Sequence, residues 1–327
     1  MTKRSKSAKP GNASHPTWQR RVLRLAQRLG VTVTDVGPGM ALLGRSADYD
    51  VRTLIPQESY LVNRRGKGTS VAKAGAGGWL VTPAGKARPP ALTVETQTLK
   101  LLGSRHISWL LKRYRIDCVL DIGANTGQFA QGLRRNGYQG HILSFEPVPS
   151  FVEALEAASA DDDKWTVRQL ALGSTDGSVP IHVQKTFSSF LSSSDYGKGR
   201  FETLEKNADS ETVDVPLRRL DGALDEFLAP VVADGIPHPR VFLKMDTQGF
   251  DLEVFRGLGD RAKDIIGLQS EVALLLIYEG MPRMPEAIAT YEAAGFEISG
   301  LFPVTRERDG RVIEYDCAMV RASELPS

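Results

Sequence analysis

From about residue 95 onward, short apolar runs alternate with segments patterned as helices, and this alternation confines the chain to few folds. Residues 117–122 read as a strand, 127–136 as a helix and 141–145 as a second strand. A helix over 151–160 and a strand over 165–171 complete a βαβαβ unit. Strands apolar at nearly every position are buried on both faces, so the pattern predicts a parallel sheet with helices on each side. A helix is expected before it, over 101–114. The rhythm resumes with a strand at 215–220, a helix at 222–228 and a strand at 241–246. A helix starts at 251–256, followed by a strand at 265–272 and a helix at 285–294. The last two strands, 297–303 and 311–321, are joined by the turn Arg308-Asp309-Gly310. The expected architecture is α/β: a mainly parallel seven-stranded sheet closed by an antiparallel C-terminal hairpin.

The first 92 residues have another texture and read as a basic N-terminal extension, with the main domain over 93–327. Residues 1–16 are polar and aperiodic. Trp18, Val22, Leu25, Ala26 and Leu29 recur at helical spacing, which predicts a helix over about 17–29 with Arg20, Arg21, Arg24 and Arg28 on its polar face. A strand is expected from Val31, and residues 62–90, rich in Gly, Ala, Lys and Pro, read as a loop. The net charge of +2 hides an asymmetry: 17 Lys and Arg stand against 5 Asp and Glu in residues 1–100, and 24 against 34 in the rest. A basic front on an acidic body fits either a solvated extension or an arm for an anionic surface, including peripheral contact with a membrane.

The run VLDIGANTGQF, residues 119–129, passes from strand through a glycine-bracketed turn to a helix. Ligands of open parallel sheets bind at such strand ends. A dinucleotide loop needs a second glycine where pyrophosphate presses on the backbone, and that place holds Asn125. No Gly-Lys-Ser/Thr follows, which excludes a P-loop. Asp121 precedes the turn, and a carboxylate there suits an ammonium better than a pyrophosphate. Glu146, 25 residues later at the end of the next strand, can accept both hydroxyls of a ribose, with Pro147 ending the strand behind it. S-adenosylmethionine (SAM) fits this pattern: an amino-acid end, a sulfonium, a ribose and no phosphate. Gly123 and Gly127 are expected to let the backbone approach it without Cβ collision, and Ala171 begins a stretch where adenine can pack.

Taken together, VLDIGANTGQF, FEPVPS, ALGSTDGS, SSFLSS, VPLRRLD, FLKMDTQGFDLEVFRG, LQSEV and EYDCAMVR resemble the FkbM family of SAM-dependent methyltransferases over roughly residues 95–321. The resemblance implies a Rossmann-like, class I methyltransferase fold, SAM as cofactor, and a hydroxyl acceptor on a sugar, glycan or secondary metabolite. It implies a donor loop of Asp121, Gly123, Ala124, Asn125 and Gly127, with Glu146 on the ribose. Lys244, Asp246, Gly249 and Glu253 match the family's Lys-x-Asp-x-x-Gly-x-x-x-Glu. Where many members carry Glu before that glycine, this chain has Gln248.

Methyl transfer needs a placed acceptor and a sink for its proton. Asp246 ends the fourth parallel strand and shares a face with Lys244 two residues earlier. Three readings compete. Asp246 is the general base; or Asp246 and Glu271, with Asp251 as a further partner, hold a divalent ion such as Mg2+; or Lys244 and Asp246 form a structural ion pair beneath the site. Glu253 reads as a charge at a helix N-terminus. Ser188 and Ser189 lie in a long segment suited to a lid. His182 reads as an edge-strand histidine, and Glu279 as a weaker acceptor contact.

Other classes are disfavoured. The five histidines and the cysteines Cys118 and Cys317 have no metal-ligand spacing, and both cysteines read as buried thiols of a cytoplasmic protein. No apolar run is long enough to span a membrane, and no signal sequence is evident. The expected partner is a small-molecule or glycan acceptor. The acidic body and the lack of an Asn/Asp-Pro-Pro-Tyr/Phe motif argue against nucleic acid. Two alternatives remain: a nucleic-acid methyltransferase gripping phosphates with its basic front, and a non-catalytic SAM-binding scaffold.

Overall fold

The computed structural model describes residues 32–37, 40–44, 49–55, 59–64, 69–75, 78–83, 91–182, 189–201, 212–307 and 309–324. The expected helix over 17–29 and Ser188 lie outside them. The chain divides into two compact units, Met1–Pro90 and Ala91–Ser327. Within the first, three antiparallel hairpins pair β1 (Thr32–Gly37) with β2 (Met40–Gly44), β3 (Tyr49–Ile55) with β4 (Ser59–Arg64), and β5 (Thr69–Gly75) with β6 (Gly78–Pro83). Part of the loop expected over 62–90 is thus hairpin strand, residues 69–75 and 78–83, with Gly75 opposite Gly78 in the register.

The second unit opens with α1 (Ala91–Arg113) and is built on a seven-stranded sheet. Its strands are β7 (Cys118–Ile122), β8 (His141–Phe145), β9 (Trp165–Arg168), β13 (Val241–Met245), β14 (Ile265–Ala273), β15 (Phe296–Arg306) and β16 (Val312–Arg321). They lie in the order β15-β16-β14-β13-β7-β8-β9, and within the sheet only β16 runs against its neighbours. This is the class I methyltransferase architecture.

Two strand expectations change. The run 165–171 splits into β9 and β10 (Ala171–Leu172), which leaves the main sheet to pair in parallel with β12 (Thr212–Arg218). The strand expected at 215–220 is β12, and it also stays outside the main sheet, pairing antiparallel with β11 (Gly177–His182). Its burial explains why: Val215 and Leu217 are buried while Asp214 and Pro216 are exposed. That is the alternation of a strand covered on one face.

Alternating residues of β7 feed two cores. Cys118, Leu120 and Ile122 join Leu220, Leu224, Phe227 and Val231 of α5 (Leu220–Ala233). Val119 joins Ile107, Leu110 and Leu111 of α1, Ala130 and Leu133 of α2 (Gln128–Arg135), and Leu155 of α3 (Pro149–Ser159). Cys118 and Cys317 are both buried and free. Among the described residues, no helix is long and apolar enough to cross a membrane. Leu224 has no solvent exposure, so Leu224→Ala should cost about 2–5 kcal/mol, read as a lower urea midpoint at unchanged slope.

Candidate active site

The chain leaves β7 in one direction through β8 and β9, and β13 leads the other way to β14. The order therefore reverses between β7 and β13, and an open α/β sheet has its crevice there. A cavity of about 660 Å3 lies at that point. Gly123, Ala124, Asn125, Glu146, Pro147 and Ala171 line one part, and Lys244, Asp246, Gln248 and Glu271 another. Asp121, Gly127, Asp251 and Glu253 are not in its wall.

The turn after β7 is shaped by the protein's own backbone. Gly123 has φ +72°, and a Cβ there would lie 2.1 Å from the Asp246 carbonyl oxygen. At Gly127, φ is +85° and a Cβ would meet Leu155 and Trp165 at 2.9–3.0 Å. Both glycines are thus required by close approach to other parts of the chain, where the sequence suggested clearance for a ligand. Asn125 also has positive φ, +50°, which asparagine tolerates because its short amide bonds locally. Here its Oδ1 accepts from the Thr126 N–H at 2.8 Å.

Asp121 is fully buried, and the ammonium it meets is Lys244 of the neighbouring strand, Nζ to Oδ1 at 3.0 Å. Lys244 also donates to the Gly123 carbonyl oxygen at 3.2 Å and lies 5.4 Å from the centroid of the Phe129 ring. Its Asp246 contact is longer, 3.6 Å. The ion pair expected between Lys244 and Asp246 is therefore chiefly Lys244–Asp121. Burial opposes the lysine's charge, but the carboxylates of Asp121 and Asp246 outweigh it and hold its pKa above the ordinary value.

Glu146 is buried at the end of β8. One oxygen accepts from the Asn125 N–H at 2.8 Å and the other from the Val148 N–H at 2.9 Å. Burial pushes its pKa up to about 7, against the pull of those two N–H groups and of Lys244. Each carboxylate oxygen can accept a second hydrogen bond. Pro147 and Ala171 line the cavity beside it.

Across the crevice, Asp246 follows β13 with its side chain 43% exposed. Gln248 Nε2 lies 3.2 Å from Asp246 Oδ1 and 3.4 Å from Glu271 Oε2. Tyr278 donates its hydroxyl to Gln248 Oε1 at 2.9 Å, and Ser189 donates to the Gln248 carbonyl oxygen at 2.8 Å. Ser189 therefore braces this loop. Glu279, next to Tyr278 in the chain, is exposed, and His182 ends β11 opposite Thr212.

The divalent site expected from Asp246, Glu271 and Asp251 does not fit these residues. Asp251 is buried, and its carboxylate is taken by the Thr247 N–H and hydroxyl, the Ser270 hydroxyl and the Glu271 N–H. An amide donor stands between the other two acids. Among the described residues, no three His, Cys, Asp or Glu are arranged to hold a metal. Glu253 sits in the first turn of α6 (Asp251–Arg256), bonded to Ser174 and Arg256.

Sequence reasoning passed over Glu314 and Asp316 of β16, which line the same cavity. Asp316 lies directly opposite Glu271 in the strand register, and Glu314 opposite Ala273. Two acids at period two in an otherwise apolar strand, Glu-Tyr-Asp, were the available signal. Burial pushes Glu314 up to about 7, helped by the charges of Asp246 and Asp316. It pushes Asp316 up to about 6, helped by Asp246 and opposed by Gln269, Lys244 and Lys100. Glu271 is raised well above its ordinary value by burial and by Glu314 and Asp246.

A switch-point crevice with an acid on the second strand, a glycine turn on the first and an antiparallel C-terminal strand β16 is the arrangement of class I methyltransferases. The methyltransferase FkbM domain matches residues 121–298, more than half of the chain. The chain belongs to this family of SAM-dependent methyltransferases. It is 26% identical over 199 residues to the methyltransferase sdnD of Sordaria araneosa, covering 55% of this chain and 74% of that one. It is 28% identical over 163 residues to methyltransferase 1 of Beauveria bassiana, covering 45% and 61%. Magnesium protoporphyrin IX methyltransferase of Synechocystis PCC 6803 superposes with a TM-score of 0.37 at 10% identity, over 72% of this chain and 86% of its own, a likeness too remote to bear on function.

The raised carboxylates carry a pH signature. An acid whose folded pKa exceeds its unfolded one binds more protons folded, so stability falls as pH rises between the two values. For Glu146 and Glu314 that window runs from the ordinary 4.5 to about 7. The urea midpoint should therefore fall between about pH 5 and pH 7, and Glu314→Gln should flatten the fall. An unchanged slope in that variant would contradict the assignment.

Proposed function

We propose that this chain is an O-methyltransferase that moves the methyl group of SAM to a hydroxyl of a neutral or positively charged small molecule, such as a sugar, a glycan unit or a secondary metabolite. One observation carries the reading: a ribose-type acid, Glu146, and a group of carboxylates led by Asp246 share a single cavity. Family membership supplies the reaction class.

Glu146 holds the ribose through the free acceptor positions on its two oxygens, whose orientation the Asn125 and Val148 N–H groups set. Pro147 and Ala171 flank the adenine. The Asp121 carboxylate neutralises Lys244 beneath the crevice, which keeps that cation from repelling the sulfonium. SAM supplies an electrophilic methyl carbon and leaves as S-adenosylhomocysteine when the carbon–sulfur bond electrons pass to sulfur. Asp246, at the accessible end of β13, takes the proton of the attacking hydroxyl. Glu271, buried deeper and held protonated more readily, orients the acceptor through hydrogen bonds.

The same carboxylates weigh against nucleic acid. Asp246, Glu314 and Asp316 line the cavity, and a phosphate backbone entering there meets the negative charge of Asp246 and of the ionised fraction of the other two. The basic residues of the first 100 positions belong with a separate role, with peripheral contact to an anionic surface as the fitting one.

Calorimetry should detect SAM and S-adenosylhomocysteine binding to the full chain. Glu146→Ala should weaken both by roughly 10–100-fold, the worth of lost charge-assisted hydrogen bonds. Asp246→Asn should keep donor affinity while abolishing label transfer from SAM to glycan and metabolite extracts. A folded chain that binds neither nucleoside sinks the reading. Full donor binding with no labelled product from any extract favours a SAM-binding scaffold instead.

A further inference from the structure

Gln248, in the wall of the cavity, is held through both its backbone and its side chain. Its backbone is left-handed, φ +53°. That conformation is costly for a residue other than glycine and persists only where its surroundings hold it. The Ser189 hydroxyl holds its carbonyl oxygen and the Tyr278 hydroxyl holds its side-chain oxygen. With Oε1 engaged by Tyr278, Nε2 must face the other way, towards Asp246 at 3.2 Å and Glu271 at 3.4 Å. The reverse orientation of the amide would aim a carbonyl oxygen at the Asp246 carboxylate, so that charge selects the orientation.

Two carboxylates converging on one point at such distances are the usual start of a divalent cation site. Here that point is filled by an NH2 group with one hydrogen for each acid. The third acid that could complete a ligand set, Asp251, is spent on Thr247, Ser270 and the Glu271 N–H. We propose that the Gln248 side chain takes the place of a bridging cation: it is the positioning residue that holds Asp246 and Glu271 for the acceptor, and proton removal proceeds without a metal ion. The proposal rests on the methyltransferase reading of the cavity for its chemistry, and on the amide geometry alone for the absence of a cation site.

The amide does for the two acids what a cation does, at lower charge. It bonds one oxygen of each acid and leaves the other oxygen of each for further contacts. It engages Asp246 Oδ1 and leaves Oδ2, 3.6 Å from Lys244 Nζ, to receive the proton, which a metal would compete for. Exchange of the amide for a carboxylate would put three acids around one point and restore the conditions for a cation.

The test is a Mn2+ titration of the full chain, saturated with SAM, followed by electron paramagnetic resonance of the free ion, with Mg2+ as competitor. The native chain should show no Mn2+ site that disappears in Asp246→Asn. Gln248→Glu should gain a site at least roughly tenfold tighter than any native binding, because affinity follows ligand charge. Gln248→Ala, which removes the bridge and adds no charge, should fall between. A native Mn2+ site lost in Asp246→Asn overturns the proposal, as does a Gln248→Glu chain that binds SAM normally yet binds Mn2+ no better than native. If both Gln248 variants unfold, the native and Asp246→Asn titrations alone decide. Donor binding in the same samples separates the two readings: loss of SAM binding by the native chain would overturn the methyltransferase site, whatever the metal result.

Discussion

The pair Lys244–Asp121 joins the two central strands of the sheet at the point where their connections diverge. Both side chains are buried, and Lys244 lies opposite Asp121 in the strand register. The lysine also reaches the carbonyl oxygen of Gly123, where the turn begins. One charged contact thus ties the end of β13 to the start of the donor turn. Gly123 then passes so near the Asp246 carbonyl that no side chain fits between them. Removal of one partner from such a pair leaves a bare charge in the interior, a loss of about 3–5 kcal/mol. The crevice can stay open for a ligand because its floor is locked in this way.

Above that floor the two sides of the cavity differ in how they are built. The donor side is made by backbone: a turn, a strand end and N–H groups that fix Glu146. The acceptor side is made by side chains from β13, β14 and β16 that meet only because those strands are neighbours. Its acids are numerous and partly protonated near neutrality. On the proposed reading, such a wall supplies both hydrogen-bond donors and acceptors to a polyhydroxylated or cationic acceptor, and repels an anionic one.

Much of this was legible in the residues. The alternation of apolar strands and helices is a local property, and it marked most strands of the main sheet to within a few residues. The spacing of Asp121 and Glu146 marked consecutive strand ends. Errors came where local pattern was ambiguous. The run 165–171 looks continuous, yet its last residues pair with a different sheet. Residues 62–90 look like a loop by composition, yet residues 69–75 and 78–83 are hairpin strands. Gln248 was noticed as a departure, but its partners Tyr278 and Ser189 are 30 and 59 residues away and carry no motif.

The sequence by itself determined most of the sheet, the glycine turn after β7 and the acid that ends β8, because each depends on residues close together along the chain. It also brought Lys244 and Asp246, which line the cavity, and Asp121, which pairs with Lys244 beneath it, forward as candidates. Only the tertiary structure decided which charges pair. Lys244 chose Asp121 over its sequence neighbour Asp246, because strand register brings the first to 3.0 Å and the strand end leaves the second at 3.6 Å. It likewise decided that Glu314 and Asp316 join the cavity and that an amide stands between Asp246 and Glu271. Coulomb and hydrogen-bond energies depend on distances of a few ångströms across strands, and those distances follow from packing rather than from spacing in sequence.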